Sequence, residues 1–338
     1  MVWVRCSPRP ALFCLASDVT SPTAHVPVLV EAVLTGLKLD VPRDPSSKRV
    51  MIDGTLGGAG HSMRMATCLS VGETLITMDR DPSAIQRMLP FLQAHLGVTA
   101  EQTDLGWSFQ PANGCRWILC ADSYCAIPRV LQDLGIASAD GILLDLGLSS
   151  DQLQDTERGF SFRVDGPLDL RFDPNSGLSA ADFLRVKTEK EIADTIYRFG
   201  EERFSRRIAR AIVEMRLANP IETSKQLADL IHRVVPGRIH GRVDSATRTF
   251  QALRIAVNRE LEHVEQAMQS LPRSLSPEGR LVVISFHSLE DRIVKHSMRE
   301  NALLEVLTKK PIVADLMEME TNPRSRSAKL RVAERLPD

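Results

Sequence analysis

Three short apolar runs in this chain each close on an aspartate: Val50-Met51-Ile52-Asp53, Thr74-Leu75-Ile76-Thr77-Met78-Asp79 and Gly141-Ile142-Leu143-Leu144-Asp145. Ionised carboxylates accept hydrogen bonds from hydroxyls and amines, and they do so more strongly than neutral oxygens. In parallel α/β sheets, ligands sit beyond the carboxyl ends of the strands, so acids at three such ends converge on one place. Between the first and second acids lies Gly54-Thr55-Leu56-Gly57-Gly58-Ala59-Gly60-His61, where glycines let backbone approach a ligand and a helix start offers free N–H groups.

The loop excludes two common occupants. A triphosphate loop counted from Gly54 needs Gly-Lys-Ser/Thr where Ala59, Gly60 and His61 stand, and no lysine is present. A dinucleotide fingerprint started at Gly58 puts Met63 where close packing needs a small residue. A ligand held by backbone and carboxylates suits these residues better. Asp79 falls roughly 20 residues beyond the loop, the spacing at which an acid grips ribose hydroxyls. Asp81, just before Pro82, is the better cap for the helix that follows, which leaves Asp79 for the sugar.

The elements that must position these groups read as alternating strands and helices up to about residue 150. A short helix before Pro42 precedes the first strand, and the stretch 97–115, rich in Gly, Gln and Asn, reads as a loop before a strand at Trp117-Ile118-Leu119-Cys120. Tyr124 follows that strand. Gly147-Leu148-Ser149-Ser150-Asp151 lacks the last glycine of a hydrolase elbow. The long segment 157–171 interleaves Phe160 and Phe162 with arginines, which argues for a functional loop.

From about residue 179 helices take over, with capping boxes at Thr188/Glu191 and Thr223/Gln226. Between 203 and 259 stand twelve Lys or Arg against Glu214, Glu222, Asp229 and Asp244. Such an arginine-rich face suits phosphates, although solvated helix faces account for part of it. A long helix is expected from Ser245 to about Leu271, its stripe Phe250, Leu253, Val257, Leu261 and Val264 facing a core. The next strand, Gly279–His287, ends on His287, whose place beside a helix start favours a structural role over that of catalytic base. Leu303 to Thr308 and Lys329 to Val332 supply a closing pair of strands, and Arg324, Arg326, Lys329 and Arg331 a basic tail segment.

Composition sets the limits. The chain has 338 residues, 43% of them hydrophobic, which is ample for a large core. Its 42 Lys and Arg nearly balance 43 Asp and Glu, so no overall field announces a nucleic-acid partner. No apolar run approaches the length of a membrane span. Six cysteines lack paired CxxC spacing, no histidine joins Cys115, Cys120 and Cys125, and no metal site is expected. Residues 1–24 read as an extension, with an organelle leader as the other possibility.

Together the motifs resemble the family that methylates cytosine N4 in small-subunit ribosomal RNA. The resemblance is carried by His25-Val26-Pro27-Val28-Leu29, the 53–61 loop, Asp79-Arg80-Asp81-Pro82, Gly141–Gly147, Glu157–Phe162, Asp165–Asp169, Gly200–Phe204, Thr247–Arg254, Ser285–Arg292 and Asn322–Ser327. It implies a class I, Rossmann-like methyltransferase with a seven-stranded, mostly parallel sheet and an inserted helical subdomain. The implied divisions are an extension at 1–24, core at 25–150, a loop and helical insert for RNA recognition at 151–244, and core again at 245–338. The implied cofactor is S-adenosylmethionine, held by Ala59, Gly60, His61, Asp79, Tyr124, Asp145 and Gln152. Ala59 stands where glycine is common and Tyr124 where phenylalanine is usual.

The expected reaction transfers a methyl group to the exocyclic N4 of a cytidine in the decoding region, with Asp145 either orienting the amine or only holding the cofactor, and no metal involved. The expected partner is small-subunit ribosomal RNA or the small ribosomal subunit, in the cytoplasm or, if 1–24 is a cleaved leader, the mitochondrial matrix. A non-catalytic ribosome assembly factor of the same fold is the alternative. It would tolerate loss of the cofactor acids.

Overall fold

The computed structural model describes residues 26–41, 48–235 and 244–337. The expectations for the 1–24 extension, His25, Arg238 and Arg242 lie outside the described residues. Nine strands form one sheet: β1 (Val50–Asp53), β2 (Thr74–Asp79), β3 (Glu101–Thr103), β4 (Gly106–Phe109), β5 (Arg116–Ala121), β6 (Ala139–Asp145), β7 (Leu275–Ser285), β8 (Leu304–Val306) and β9 (Lys329–Arg335). Their order is β3-β4-β5-β2-β1-β6-β7-β9-β8. The central five, β5 to β7, are parallel, and β3, β4, β8 and β9 pair antiparallel with their neighbours.

Seven of these strands were expected. The other two, β3 and β4, are a hairpin made from the 97–115 stretch read as a loop. Its outer strand Glu101-Gln102-Thr103 is exposed throughout, so no apolar alternation marks it. Its inner strand is secured by Phe109, whose ring lies 5.2 Å from that of Trp117.

Alternation along the central strands divides two cores. Met51, Leu75, Trp117, Leu143 and Val282 face one side, and Ile52, Ile76, Ile118, Ile142 and Leu281 the other. Strand β1 lies between β2 and β6, so the chain runs one way along the sheet and then reverses. That reversal opens a crevice beyond the carboxyl ends of β1, β2 and β6.

A third core is helical. Ala180–Val186, Glu189–Gly200, Ser205–Ala218, Ser224–Val234 and Thr247–Asn258 pack Leu184, Ile192, Ile196, Ile208, Ile212 and Leu253 around Phe160, Leu168 and Leu170. Thr188/Glu191 and Thr223/Gln226 form the reciprocal caps read from the sequence. The single helix expected from Ser245 to Leu271 is two helices. Arg259 takes a left-handed conformation, φ 51°, between Thr247–Asn258 and Glu260–Ser270. No glycine announced the break. The expected stripe is therefore shared, with Phe250 and Leu253 in the helical core and Val264 against the sheet.

Candidate active site

Asp53 closes β1 and is fully buried. Its Oδ2 accepts the Ser62 hydroxyl at 2.5 Å and its Oδ1 the Thr55 N–H at 3.1 Å, so this carboxylate fastens the two ends of the glycine loop. Burial pushes its pKa up to about 6, against the pull of Ser62 and His61. It does not line the crevice. The expectation that all three strand-end acids meet a ligand fails at Asp53, because it is fully buried and only Asp79 and Asp145 reach the crevice wall.

The loop held by Asp53 is shaped by close contacts. A Cβ on Gly54 would lie 2.6 Å from Leu144 Cδ2 and 2.9 Å from Tyr124 Cβ, and Gly57 has φ +48°. These glycines let three chain segments meet at the crevice floor. Ala59 is also left-handed, φ 61°, and caps the helix Gly60–Thr67. Its methyl group is buried in the core and does not line the crevice, so the contact expected of Ala59 would have to come from its backbone. Gly60 and His61 do line it.

Asp79 stands half-buried at the end of β2, on the crevice wall. Its Oδ2 accepts Gly57 N–H at 2.9 Å and its Oδ1 accepts Asp81 N–H at 2.8 Å, which fixes the carboxylate beside the loop. Burial pushes its pKa up to about 6. Asp81 caps the next helix through Ser83 N–H, as its place before Pro82 indicated.

Asp145, at the end of β6, lies 3.5 Å from His61 Nδ1 through Oδ2. The other ring nitrogen, Nε2, is 2.8 Å from the Val28 carbonyl, which places the imidazole proton there. Burial holds His61 below its ordinary pKa, so the ring is neutral and offers Asp145 no proton. Asp145 Oδ1 is buried and has no hydrogen-bond partner among the described residues. Burial lifts the carboxyl to about 7, against the pull of Arg324. Ser149 and Gln152 form a capping box, and Gln152 Nε2 reaches Asp81 at 3.3 Å. Tyr124 and Gln152 line the crevice with Asp79 and Asp145.

The cleft measures about 1230 Å³ with its open mouth included. Besides the expected residues it is lined by Phe172, Glu260, His263, Phe286, Glu290 and Arg324. Most of these follow the helical segment in sequence, and only the topology brings them back. Arg324, read as part of a basic tail, donates to the Leu148 carbonyl at 3.1 Å. His287 caps the helix Ser288–Glu300 by accepting Glu290 N–H, the structural role expected of it.

The 157–172 loop is bolted to this wall. Arg158 is nearly buried and donates to Asp81 Oδ2 at 2.8 Å and Oδ1 at 3.2 Å. Asn258 Oδ1 accepts Phe172 N–H at 2.7 Å, while its amide donates to Leu170 O at 2.6 Å. Phe172 is thereby set on the cleft.

A parallel sheet with its ligand crevice at the chain reversal, a glycine loop, a carboxylate at the second strand end and an open acid at the fourth central strand define a methyltransferase of the class I, Rossmann-like kind. The donor S-adenosylmethionine fits what is there. It has no phosphate to neutralise, its ribose needs an acceptor such as Asp79, and its sulfonium is compatible with a wall bearing Asp79, Asp145 and Glu290.

Comparison with known proteins specifies this further. Residues 22–336 match the model of the MraW methylase family, and the chain belongs to that family. It is 44% identical to ribosomal RNA small subunit methyltransferase H of Rhodopirellula baltica, over 95% of this chain and 94% of that protein. The protein of the same name from Acidobacterium capsulatum is 45% identical over 92% of this chain and 98% of its own length. Among the described residues no helix is long and apolar enough to cross a membrane.

Proposed function

We propose that this chain transfers a methyl group from S-adenosylmethionine to the exocyclic N4 of a cytidine in the decoding region of small-subunit ribosomal RNA. The observation that carries this reading is Asp145 Oδ1, a buried acceptor without a partner, on the wall of the donor cleft. A carboxylate is the natural acceptor for the N4 amine of cytosine. That amine is a poor nucleophile because its lone pair is shared with the ring, so holding its N–H bonds in line with the methyl group is the main task left to the protein.

In this reading Gly60, His61, Asp79, Tyr124 and Gln152 hold the donor, and Asp145 faces the amine of a base taken out of its stack. The names of the relatives support ribosomal RNA as substrate, and their bacterial sources favour a cytoplasmic particle. The segment 151–244 is the part assigned to RNA. On it Arg203, Arg206, Arg207, Arg210 and Arg233 are exposed, and so is Arg248 just beyond its end. Arg216 and Arg254 are spent internally, on the carbonyls of Leu184 and Lys187 and on Glu260. Incubating the protein with labelled donor and small ribosomal subunits, then mapping the modified nucleotide, tests the proposal. Label on a single cytidine N4 is expected, and label on any other atom or none at all rejects it.

A further inference from the structure

Asp145 is not the only acid on the cleft. Glu290 also lines it, from the first turn of the helix that follows β7, the strand beside β6. Its residue is only 1% exposed, so its charge has to be supported by protein. Oε2 accepts Phe286 N–H at 3.0 Å, and Oε1 lies 3.2 Å from His287 Nε2. His287 Nδ1 accepts Glu290 N–H at 3.4 Å, which leaves the ring proton on Nε2, close to Glu290 Oε1 but not aligned on it for a hydrogen bond. Behind this pair Arg254 donates to both oxygens of Glu260, at 2.8 and 2.9 Å.

The oxygens and ring nitrogen of Glu260, His287 and Glu290 approach one another within 4.8 Å, close enough for a metal ion. The arrangement argues against one, because both oxygens of Glu260 are taken by Arg254 and that guanidinium already supplies the cation. What remains is a row of packed polar groups, Arg254, Glu260 and His287, that ends on the cleft at Glu290.

We propose that Glu290 is a second substrate-facing carboxylate: it accepts one N–H of the amine to be methylated while Asp145 takes the proton of the other. The inference rests on the proposed cytidine substrate. An exocyclic amine has two N–H bonds, and the cleft offers two carboxylates on adjacent strand–helix connections. The surroundings set them apart, as a hydrogen-bond anchor and a proton acceptor require. Burial works against the Glu290 charge, yet the His287 N–H and the Arg254 charge hold it below the ordinary glutamate range. Burial lifts Asp145 to about 7, where a group can both accept and release a proton near neutrality.

The charged and titratable groups facing Asp145 are His61, Asp53, Arg324 and Glu290, and those facing Glu290 are Asp145, His287, Arg254, Glu260 and Tyr124. In the reaction the amine lone pair forms the new N–C bond as the donor's C–S bond breaks, its electron pair passing to sulfur. The surplus proton on nitrogen moves to the Asp145 carboxylate and then to solvent. Glu290 is a catalytic residue in this scheme, and His287 and Arg254 are positioning residues.

The test is Glu290→Gln, assayed by single-turnover methyl transfer to small subunits over a pH series spanning neutrality, with donor affinity measured by calorimetry. A loss of about 100-fold in rate is expected, with unchanged donor affinity. The pH midpoint of the remaining rate should move down, because Asp145 loses a negative neighbour. A rate near wild type, a loss matched by weaker donor binding, or an unmoved midpoint would overturn the proposal. Should Glu290→Gln not fold, Glu290→Asp keeps the charge with a shorter reach. Its rate should fall by roughly 10-fold with the midpoint unmoved, and full activity overturns the proposal. If wild-type protein labels no cytidine, the substrate reading has failed. If wild type labels it and the variant does so equally well, only the role of Glu290 has failed.

Discussion

Asp53 and Asp145 close adjoining parallel strands, yet the two strand ends do different work. At the β1 end every carboxylate oxygen is met by a protein donor, Ser62 or Thr55, and the result is a rigid loop. At the β6 end one oxygen is buried and unmet. A satisfied buried acid fixes structure, whereas an unsatisfied one carries a cost that is recovered only when a ligand arrives. In the proposed function, the contrast separates a half of the cleft that would hold the donor, finished in advance, from a half left open for the amine.

The sharpest way to break that contrast is at the open end. Asp145→Asn should reduce methyl transfer about 10²–10³-fold while leaving the protein folded. The sign of its effect on stability follows from linkage. A carboxyl lifted from 3.8 to about 7 favours folding when protonated, and that contribution is lost as pH rises between those values. The asparagine variant should therefore gain most in melting temperature, relative to wild type, above pH 7. A calorimetric scan at acid and at alkaline pH checks this, and equal shifts at both would contradict it.

Next comes the donor half. Asp79→Ala removes the acceptor assigned to ribose, together with the bonds from Gly57 and Asp81, and should weaken donor binding about 10- to 100-fold. Affinity for the small subunit should stay as it was. If ribosome maturation in cells proceeded normally with this variant, a non-catalytic assembly role would regain ground. Asp53→Asn should show the opposite pattern to the position 145 variant. A destabilisation of about 1–2 kcal/mol is expected in urea unfolding, with turnover of the folded fraction changed little. The smallest effects belong to the outer helical face. Replacing Arg206, Arg207 and Arg210 by alanine should leave donor binding intact and reduce the salt dependence of subunit binding by about one phosphate contact per arginine.

Much of the donor half was legible because it is local. A strand, an acid, a glycine turn and a helix start lie within a dozen residues, and Asp79 follows at a spacing set by one strand and one helix. The strand-end position of Asp145 was legible for the same reason. Its unmet oxygen was not, since that depends on which donors fail to arrive. Glu260, Phe286 and Glu290 were invisible as site residues because they reach the cleft only after the whole helical segment has been crossed. The hairpin at 101–109 was missed because Glu101, Gln102 and Thr103 have no buried face. The break at Arg259 was missed because an arginine occupies a backbone conformation that glycine usually marks.

That break has a mechanical consequence. On one side of Arg259 the chain belongs to the helical core, and on the other it forms the cleft wall through Glu260 and His263, with Arg254 and Glu260 paired across the bend. The kink is thus a riveted elbow. Under the proposed function, a contact made by the outer helices would bear on the cleft wall through the Arg254–Glu260 pair, so that holding the RNA and shaping the cleft would share one joint.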